Sequence, residues 1–418
     1  MSKILLYLIV LVLIFVPLYP KFPLVGVSGT FVAIRLEDIL IAAVVGYWLV
    51  INLTSLKQQI WGRPINRSII WYWIVGIVSV FSAIFVTKTV TVNLSILHWL
   101  RRIEYMSLFI VAVSALKTQE QLNFITKVIV VVASVVALYG IGQLLLNFPV
   151  ISTNNSEFSK GLALTLGPGA RINSTFAGHY DLAAYCLFPL LLMVGLLALP
   201  GRGKLVLVGV GALTYWAMLL SASRITFAAF FISASLFMWW LGKRSWLVAW
   251  IFIAAASIWL SPQLVGRYRE LIPKVFAAVD EQTPDALKPP AQPEDRSLNI
   301  RLHAEWPKSL RALAKSPILG TGFSSVGLAV DNDYLRSLAE TGILGTVAFG
   351  LVFLRLFRQL QPGRRPANNL AEVFSLSVTC GLVGLLINAV FIDVLEASKV
   401  AIVSWTLLGL ATRAKSLS

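Results

Sequence analysis

Arginine, histidine and carboxylate side chains concentrate in residues 299–345, the most polar stretch of an otherwise apolar chain. Arg301 and His303 lie near its beginning, and Asp331 lies farther along. A guanidinium binds phosphate through a fixed fork of donors, and an ionised carboxylate can accept a proton from a hydroxyl group. The stretch therefore predicts a site for an anionic substrate, with Asp331 and Arg301 as catalytic candidates. The alternative for Asp331 is a structural role as a helix cap.

A second candidate anion site lies where an apolar helix begins at Ser223 and Arg224. Free backbone N–H groups and the positive end of the helix dipole attract phosphate at such a position. We therefore expect Ser223 in substrate binding and Arg224 in catalysis, facing Asp331 and Arg301. The alternative is a capping serine followed by an arginine that extends to the membrane surface.

Other polar residues are candidates for substrate binding. Arg101 and Arg102 lie inside an apolar span, where a charge is costly and normally faces a cavity or a partner. Either an anionic ligand at the outer leaflet or an internal Arg–Glu pair that locks two helices accounts for them. The remaining candidates lie near the ends of predicted helices or in the polar stretch, and they are Arg35, His179, His303, Asn332 and Tyr334.

The elements that must position these residues are membrane helices. Hydrophobic residues make up 57% of the 418 residues and charged residues only 13%, and the mean hydropathy is +0.80. A soluble domain cannot hide so much apolar surface, and long apolar runs in a bilayer must form helices that satisfy their own backbone. The fold class is therefore an all-α polytopic membrane protein. Cys186 and Cys380 fall in apolar runs and are expected to be small core residues, not a disulfide or a metal site.

We predict about twelve membrane spans. Their approximate limits are 3–20, 36–53, 68–87, 95–116, 124–147, 180–199, 204–221, 224–241, 245–260, 340–357, 371–391 and 396–412. Each reaches roughly the 17–25 residues that cross ~30 Å of hydrocarbon, apart from the slightly short span 245–260. The chain thus divides into nine spans in residues 1–260, an extracytoplasmic loop with short helices in residues 261–340, and three spans in residues 341–418.

Basic residues mark one side of the predicted membrane domain. With the N-terminus inside, inner loops carry most lysines and arginines, whereas Asp393 and Glu396 lie in an outer loop. Both termini are therefore predicted to be cytoplasmic, with residues 148–179 and 261–340 outside. The net charge of +16 then indicates contact with membrane lipids and not with nucleic acid. The Pro-rich residues 277–297 are expected to be a mobile lid or slack.

An amphipathic helix is predicted after Arg301. Its apolar positions near helical spacing are Leu302, Trp306, Leu310, Leu313 and Ile318. We expect this face to pack on the membrane domain. The next helix is predicted to begin at Asp331, Asn332 and Asp333 and to lead into the tenth span.

Several short motifs succeed one another in a definite order. They are Arg35-Leu36-Glu37-Asp38, Ser174-Thr175-Phe176, Ser223-Arg224, Arg301 before Trp306, Pro317-Ile318-Leu319-Gly320-Thr321-Gly322-Phe323, Asn332-x-Tyr334-Leu335 and Glu340-x-Gly342-x-x-Gly345. Together they resemble the O-antigen ligase and polymerase family, over most of the chain. The resemblance implies a glycosyltransferase that moves a glycan from undecaprenyl diphosphate at the outer face of the bacterial inner membrane. It also implies that neither a metal nor another cofactor takes part.

The resemblance further implies roles for single residues. Arg224 and Arg301 would hold the diphosphate, and a histidine before the motif asparagine would be the base. This chain has Asp331 at that position. A base shifted to His303 or His179, a different acceptor, or an inactive homologue are the alternatives. The acceptor is a lipid, a protein or another lipid-linked glycan, so ligase and polymerase activities both fit.

Two other classes of function remain open. A transporter or flippase for lipid-linked glycans would favour charges or broken helices at mid-membrane and an inverted repeat, and we find no convincing repeat. A catalytically silent assembly or sensor protein would tolerate the aspartate at position 331. Close approach of Arg224, Arg301 and Asp331 beside an opening to the outer leaflet would favour the enzyme.

Overall fold

The computed structural model describes much of the predicted membrane domain and part of the polar stretch. The described residues are 2–27, 30, 33–150, 166, 170–260, 300–327, 330–363 and 366–417. The Pro-rich residues 277–297 and much of the predicted outer loop 148–179 lie outside these ranges.

Helices account for most of the described chain. In order they are α1 Ser2–Leu18, α2 Leu36–Ile51, α3 Leu56–Trp61, α4 Pro64–Ser82, α5 Val92–Ala115, α6 Gln119–Leu145, α7 His179–Ala198, α8 Lys204–Leu220, α9 Arg224–Trp240, α10 Arg244–Leu260, α11 Trp306–Lys315, α12 Asp333–Leu360, α13 Leu370–Asn388 and α14 Ser398–Ala414. Single π-helical turns extend α4 over Ala83–Thr87 and precede α11 over Arg301–Glu305. Each predicted span coincides with one of these helices, and the short helices α3 and α11 are additional.

By length and composition, fewer of the described helices qualify as membrane spans than the twelve predicted. Five of the described helices are long and apolar enough to cross a membrane, and they are Pro64–Thr87, Gln119–Leu145, His179–Ala198, Asp333–Leu360 and Leu370–Asn388. The bent pair Leu36–Ile51 and Leu53–Trp61 would make a sixth. Helices such as α1 and α9 have 17 residues, which is the lower limit for crossing the hydrocarbon. The all-α membrane fold is thus supported, whereas the number of twelve spans stays a prediction.

Close helix packing forms the core of the bundle. α14 packs along α5, α12 along α4, and α13 against both α7 and α9. A Cβ added to Gly409 would lie 2.5 Å from the carbonyl oxygen of Phe109, so only glycine permits that approach of α14 to α5. Small residues serve this purpose because lipid provides no hydrophobic force between helices. Cys186 and Cys380 are buried free thiols, as predicted.

A small β-hairpin precedes α2 and was not foreseen by the all-α prediction. β1 Pro23–Gly26 pairs with β2 Ala33–Arg35 in antiparallel register. The hairpin ends at Arg35, whose backbone N–H donates to Asp38 Oδ2 at 2.9 Å. The carboxylate thereby satisfies a backbone donor at the start of α2, as in a capping box.

Helix α12 is kinked at Gly342, where φ is 66° and ψ is −170°. Two N–H groups just beyond the kink bond to the carbonyl oxygens of Pro317 and Ile318, at 2.9 and 3.2 Å. Two N–H groups of the Pro317–Gly322 turn bond in return to α12 carbonyls before the kink. The two glycine-containing motifs are therefore halves of one backbone interlock, which ties the polar stretch to a membrane helix.

Replacing Gly342 by alanine should destabilise the protein by about 1–3 kcal/mol, the usual cost of a strained backbone position. The new Cβ would lie 2.3 Å from the carbonyl oxygen of Ile318, and the positive φ disfavours any side chain. Thermal unfolding of the detergent-solubilised protein measures the effect. Gly350→Ala is the matched control, because a Cβ there meets nothing within 4 Å. Equal melting temperatures for the two variants would contradict the interlock.

Candidate functional site

The structure places Arg301 and Asp331 in direct contact. Arg301 Nε and Nη2 lie 2.9 and 2.7 Å from the same oxygen of Asp331, Oδ2. The arginine side chain is 8% exposed and the aspartate side chain 33%. The pair is therefore shielded on its cationic side and open on its carboxylate side, and the second carboxylate oxygen takes part in neither bond.

The surroundings of Asp331 make its carboxylate a better proton acceptor than an exposed one. Burial raises the pKa of Asp331 above its ordinary value, and the Arg301 guanidinium opposes this effect without cancelling it. Asp393 raises the pKa further through charge repulsion. A general base is most effective when its pKa approaches the working pH. The direction of this pKa shift therefore suits the predicted role.

The beginning of α7 brings a phenol and an imidazole to the pair. The Tyr180 hydroxyl interacts with the Arg301 guanidinium. The neighbouring His179 ring lies with its centroid 4.0 Å from that of Tyr180, and its Nε2 is 2.9 Å from Arg171 Nη1. His179, a candidate from the sequence, thus joins the site through Tyr180. Tyr180 and Arg171 are additions that no sequence motif marked.

Glu305 adds a carboxyl group that the sequence analysis missed. Burial raises the pKa of Glu305, and the negative charge of Asp331 raises it further. Glu305 Oε2 and the indole Nε1 of Trp306 are buried and have no hydrogen-bond partner among the described residues. Such atoms cost roughly 1–3 kcal/mol each unless a ligand or water binds them. The sequence signal for Glu305 was its position four residues after Arg301, because residues at positions i and i+4 are neighbours on a helix. His303, between them, is exposed.

Asp393 holds the turn that carries the candidate base. Its Oδ2 accepts the N–H groups of Val330 and Asp331, and its Oδ1 accepts that of Asn332, each at 3.1 Å. Arg336 Nη2 donates to Oδ2 at 2.8 Å. Burial raises the pKa of Asp393, but Arg336 and the backbone donors lower it more, so it stays below its ordinary value. The ionised carboxylate thereby fixes Asp331 at a φ of 51°.

Replacing Asp393 by alanine should cost about 3 kcal/mol of stability or more, because a buried cation loses an anion and three N–H groups lose their acceptor. Asp393→Asn should cost less, since an amide oxygen still accepts hydrogen bonds. Thermal unfolding of the purified variants measures both. Glu120→Ala, at an exposed position in the first turn of α6, is the control. A melting temperature of Asp393→Ala equal to that of wild type would contradict the role assigned to this carboxylate.

Two of the predicted binding residues are helix caps. Asn332 Oδ1 accepts the N–H of Leu335 at 2.9 Å, so the cap of α12 is Asn332 and not Asp331. Ser223 Oγ accepts the N–H of Thr226 at 3.4 Å and donates to its Oγ1 at 2.8 Å. The capping role considered for Ser223 is therefore present. A role in substrate binding stays a prediction for both residues.

The beginnings of α9 and α12 meet at the end of α13. Thr226 Oγ1 donates to Asn388 Oδ1 at 2.8 Å, which joins the first turn of α9 to α13. The Tyr334 hydroxyl donates to the Leu386 carbonyl oxygen, also at 2.8 Å, which joins the first turn of α12 to the same place. Arg224, the first residue of α9, therefore lies at the same end of the bundle as the turn that carries the candidate base.

Arg102 contacts residues 386–396, here named the hub segment. This arginine is ion-paired with Glu396, and its Nη1 lies 3.5 Å from the Leu395 carbonyl oxygen. The internal Arg–Glu pair considered for Arg102 thus exists, and it joins α5 to the hub segment. The identity of the partner was not predictable, because Glu396 comes from a distant part of the chain and spacing along one helix does not show it.

Arg35 and Arg101 belong to a different polar cluster, around the β-hairpin. Arg35 Nη1 lies 3.5 Å from Glu37 Oε1, and Arg101 Nη2 donates to the Ala33 carbonyl oxygen at 3.1 Å. These contacts tie the hairpin to α2 and α5. Substrate binding by these two arginines stays a prediction, and the described contacts of both are met by the protein itself.

Comparison with protein families gives a match in the middle of the chain. Residues 208–350 match the family model described as O-antigen ligase. The matched range contains Arg224, Arg301 and Asp331 and ends in α12 beyond the kink at Gly342. The resemblance predicted from the sequence is thereby confirmed for this range. No curated protein matches the chain significantly.

Proposed function

From the O-antigen ligase domain at residues 208–350, we propose that the protein is a membrane glycosyltransferase. In this proposal it moves an oligo- or polysaccharide from undecaprenyl diphosphate to an acceptor hydroxyl at the outer face of the bacterial inner membrane. The observation that carries the proposal is the contact between Arg301 and Asp331, which joins an anion-binding group to a proton acceptor. A polysaccharide polymerase that uses the same donor is the second candidate, because it would differ from a ligase in its acceptor and could use the same donor site.

The proposed reaction is a single displacement. The acceptor hydroxyl gives its proton to the Asp331 carboxylate, and its oxygen forms a bond to the anomeric carbon of the lipid-linked sugar. The bond from that carbon to the phosphate oxygen breaks, and undecaprenyl diphosphate leaves with the electron pair. Arg301 and Arg224 stabilise the charge on the leaving group, which is the largest effect expected in a water-poor site. One displacement inverts the configuration of that carbon, with no metal or cofactor in the proposed step.

The ion pair gives Arg301 a second part in this scheme. A guanidinium carries five N–H donors, and two of them are directed to Asp331. A donor diphosphate brings more negative charge than the single carboxylate and competes for the same guanidinium. Binding of the donor would then loosen the contact with Oδ2 and leave the carboxylate ready to accept a proton. The base would thus be released when the donor is in place.

The proposed topology has twelve spans, both termini in the cytoplasm, and the site outside. It comprises spans one to nine in residues 1–260, the extracytoplasmic loop in residues 261–340 and the last three spans in residues 341–418. The first turns of α9 and α12 meet the last turn of α13, as alternating spans require. The acidic residues of the hub segment lie at this end, and the excess of basic loops at the other supports its outer assignment.

Transfer in proteoliposomes tests the proposal. Undecaprenyl-diphosphate oligosaccharide is supplied in the presence of EDTA with a lipid, a protein or a second lipid-linked glycan as acceptor, and released undecaprenyl diphosphate is measured. We expect release by wild type, loss of release in Arg224→Ala, and full activity in Arg358→Ala, whose residue is exposed at the far end of α12.

Four outcomes test the proposal against its alternatives. Chain-length growth on a lipid-linked acceptor would favour the polymerase. Movement of the lipid-linked glycan across the bilayer without transfer would favour the flippase. Retention of full transfer by Arg224→Ala would remove Arg224 from the site, and no reaction with any acceptor would favour a silent homologue.

A further inference from the structure

Helix α11 presents apolar side chains to its surroundings instead of burying them. Its inner side packs on α12, where Ala312 contacts a small buried cluster that includes Val330 and Ala339. On the outside, however, Leu310 is 52% exposed, and Ile318, just beyond the helix, is 68% exposed. The expectation that the apolar face of this helix packs on the membrane domain is therefore only half correct. At about 100° per residue, Leu310 lies on the same side of α11 as Trp306 and Leu313, and the protein covers only part of that side.

Three cations border this exposed apolar side. Lys308, Arg311 and Lys315 are all exposed. At about 100° per residue, they fall within an arc of about 60°, which lies between the positions of Ala312 and Leu310 around the helix. Residues 306–330 contain no aspartate or glutamate, so the nearest acidic residue along this segment is Glu305, which is only partly exposed and lies three residues before Lys308. An apolar side beside a basic edge is typical of a helix that lies in a membrane interface.

The exposed apolar surface continues onto a candidate membrane span. The Leu344 N–H donates to the Ile318 carbonyl oxygen at 3.2 Å, so the two residues are neighbours. Leu344, Ile343 and Val347 are themselves exposed large hydrophobic residues on α12. Since α12 is long and apolar enough to cross a membrane, the medium that covers these side chains is lipid. The surface around Ile318 and Leu310 is an extension of that lipid-facing surface.

We propose that α11 lies in the membrane interface and binds anionic phospholipid. Leu310 and Ile318 contact the acyl chains, and Lys308, Arg311 and Lys315 bind the phosphate groups of the lipid headgroups. The occupant is anionic lipid because the edge is purely cationic and the apolar side adjoins a lipid-facing helix. This contact sets the depth of the π-helical turn that begins at Arg301. The proposal does not require the proposed reaction, since it concerns lipid contact alone.

A fluorescent label at position 310 tests the proposal in the full-length chain. Leu310→Cys is labelled and placed in nanodiscs whose lipids carry an acyl-chain quencher on either phosphatidylglycerol or phosphatidylcholine. Wild type without the substitution controls for labelling of the buried Cys186 and Cys380. We expect quenching by both lipids, with a local enrichment of phosphatidylglycerol of about fivefold or more, as expected for basic residues near an anionic surface. The enrichment should fall as salt is added, which requires no further variant.

A triple variant identifies the residues responsible. Lys308→Gln, Arg311→Gln and Lys315→Gln together should remove the preference for phosphatidylglycerol at position 310 and leave quenching by acyl chains in place. The matched control removes three exposed cations elsewhere, with Lys204→Gln, Arg244→Gln and Arg358→Gln, and should leave the local preference unchanged. Absence of quenching by either lipid would overturn the proposal and indicate coverage by protein or water. Equal quenching by the two lipids in the labelled Leu310→Cys protein with its three basic residues intact would overturn the anionic preference.

Discussion

Replacement of Arg301 by alanine should reduce glycan transfer by about 100-fold to 1000-fold, the usual effect of removing one preorganised donor from a developing negative charge. The guanidinium is buried, contacts the candidate base and interacts with Tyr180. An alanine side chain has no hydrogen-bond donor to replace the N–H groups of the guanidinium. The measurement is the rate of release of undecaprenyl diphosphate in proteoliposomes with saturating acceptor.

Two further variants make the Arg301 result specific. Arg301→Lys keeps the charge and loses the planar fork, so it should recover only part of the rate. Arg358→Ala removes an arginine at the other end of α12 and should keep the wild-type rate. Unchanged transfer in Arg301→Ala, with protein correctly inserted and monodisperse, would exclude this arginine from the site.

Replacement of Asp331 by asparagine should lower kcat by about 100-fold to 10,000-fold, the range supplied by a general base. The asparagine keeps the shape of the side chain but removes the charge that competes with the donor for Arg301, so the KM for the donor should fall or stay the same, and should not rise. Measuring kcat and KM separately for the donor therefore distinguishes loss of a base from loss of a binding contact. An equal rate for both proteins would place the base elsewhere.

The pH dependence of glycan transfer tests the role of Asp331 independently. Burial raises the pKa of Asp331 above its ordinary value, and the protonated form cannot accept a proton. Transfer should therefore fall as the pH is lowered through this raised pKa, and the acidic limb should lie above the ordinary value for an aspartate, about 3.9. Asp331→Asn should lack that limb in its residual rate. If the limb persists there and disappears in His179→Gln or His303→Gln, the histidine is the base.

The helices and the central ion pair could be predicted from the sequence for simple physical reasons. Apolar runs must be helical in a bilayer, and the predicted spans coincide with helices for this reason. Arg301 and Asp331 were identified because a guanidinium binds phosphate, a carboxylate accepts a proton, and both residues lie in one polar stretch. The choice between Asn332 and Asp331 as helix cap was beyond reach, because both side chains cap well and lie side by side.

Contacts between distant segments could not be predicted. Arg336 bonds to Asp393 across 57 positions of the chain, and no spacing rule relates residues so far apart. The motif around Gly342 could be recognised in the sequence, but the need for glycine there could not. It arises because the carbonyl oxygen of Ile318 lies against Gly342 in the folded protein. The sequence also did not show whether Leu310 faces protein or lipid. Apolar periodicity indicates that one side of a helix is covered, but it does not indicate whether protein or lipid covers it.

The hub segment has a consequence for how related chains diverge. One short connection fixes α5, α9, α11 and α12 through side chains of four different pairs, and these are Glu396 with Arg102, Asn388 with Thr226, Phe391 with Trp306, and Asp393 with Arg336. A substitution on one side of such a pair leaves a buried group without its complement. Substitutions at these paired positions should therefore be correlated among relatives, so that a chain lacking Arg336 also lacks Asp393. Accepted mutations in the hub segment would then record changes in helices far away in the sequence.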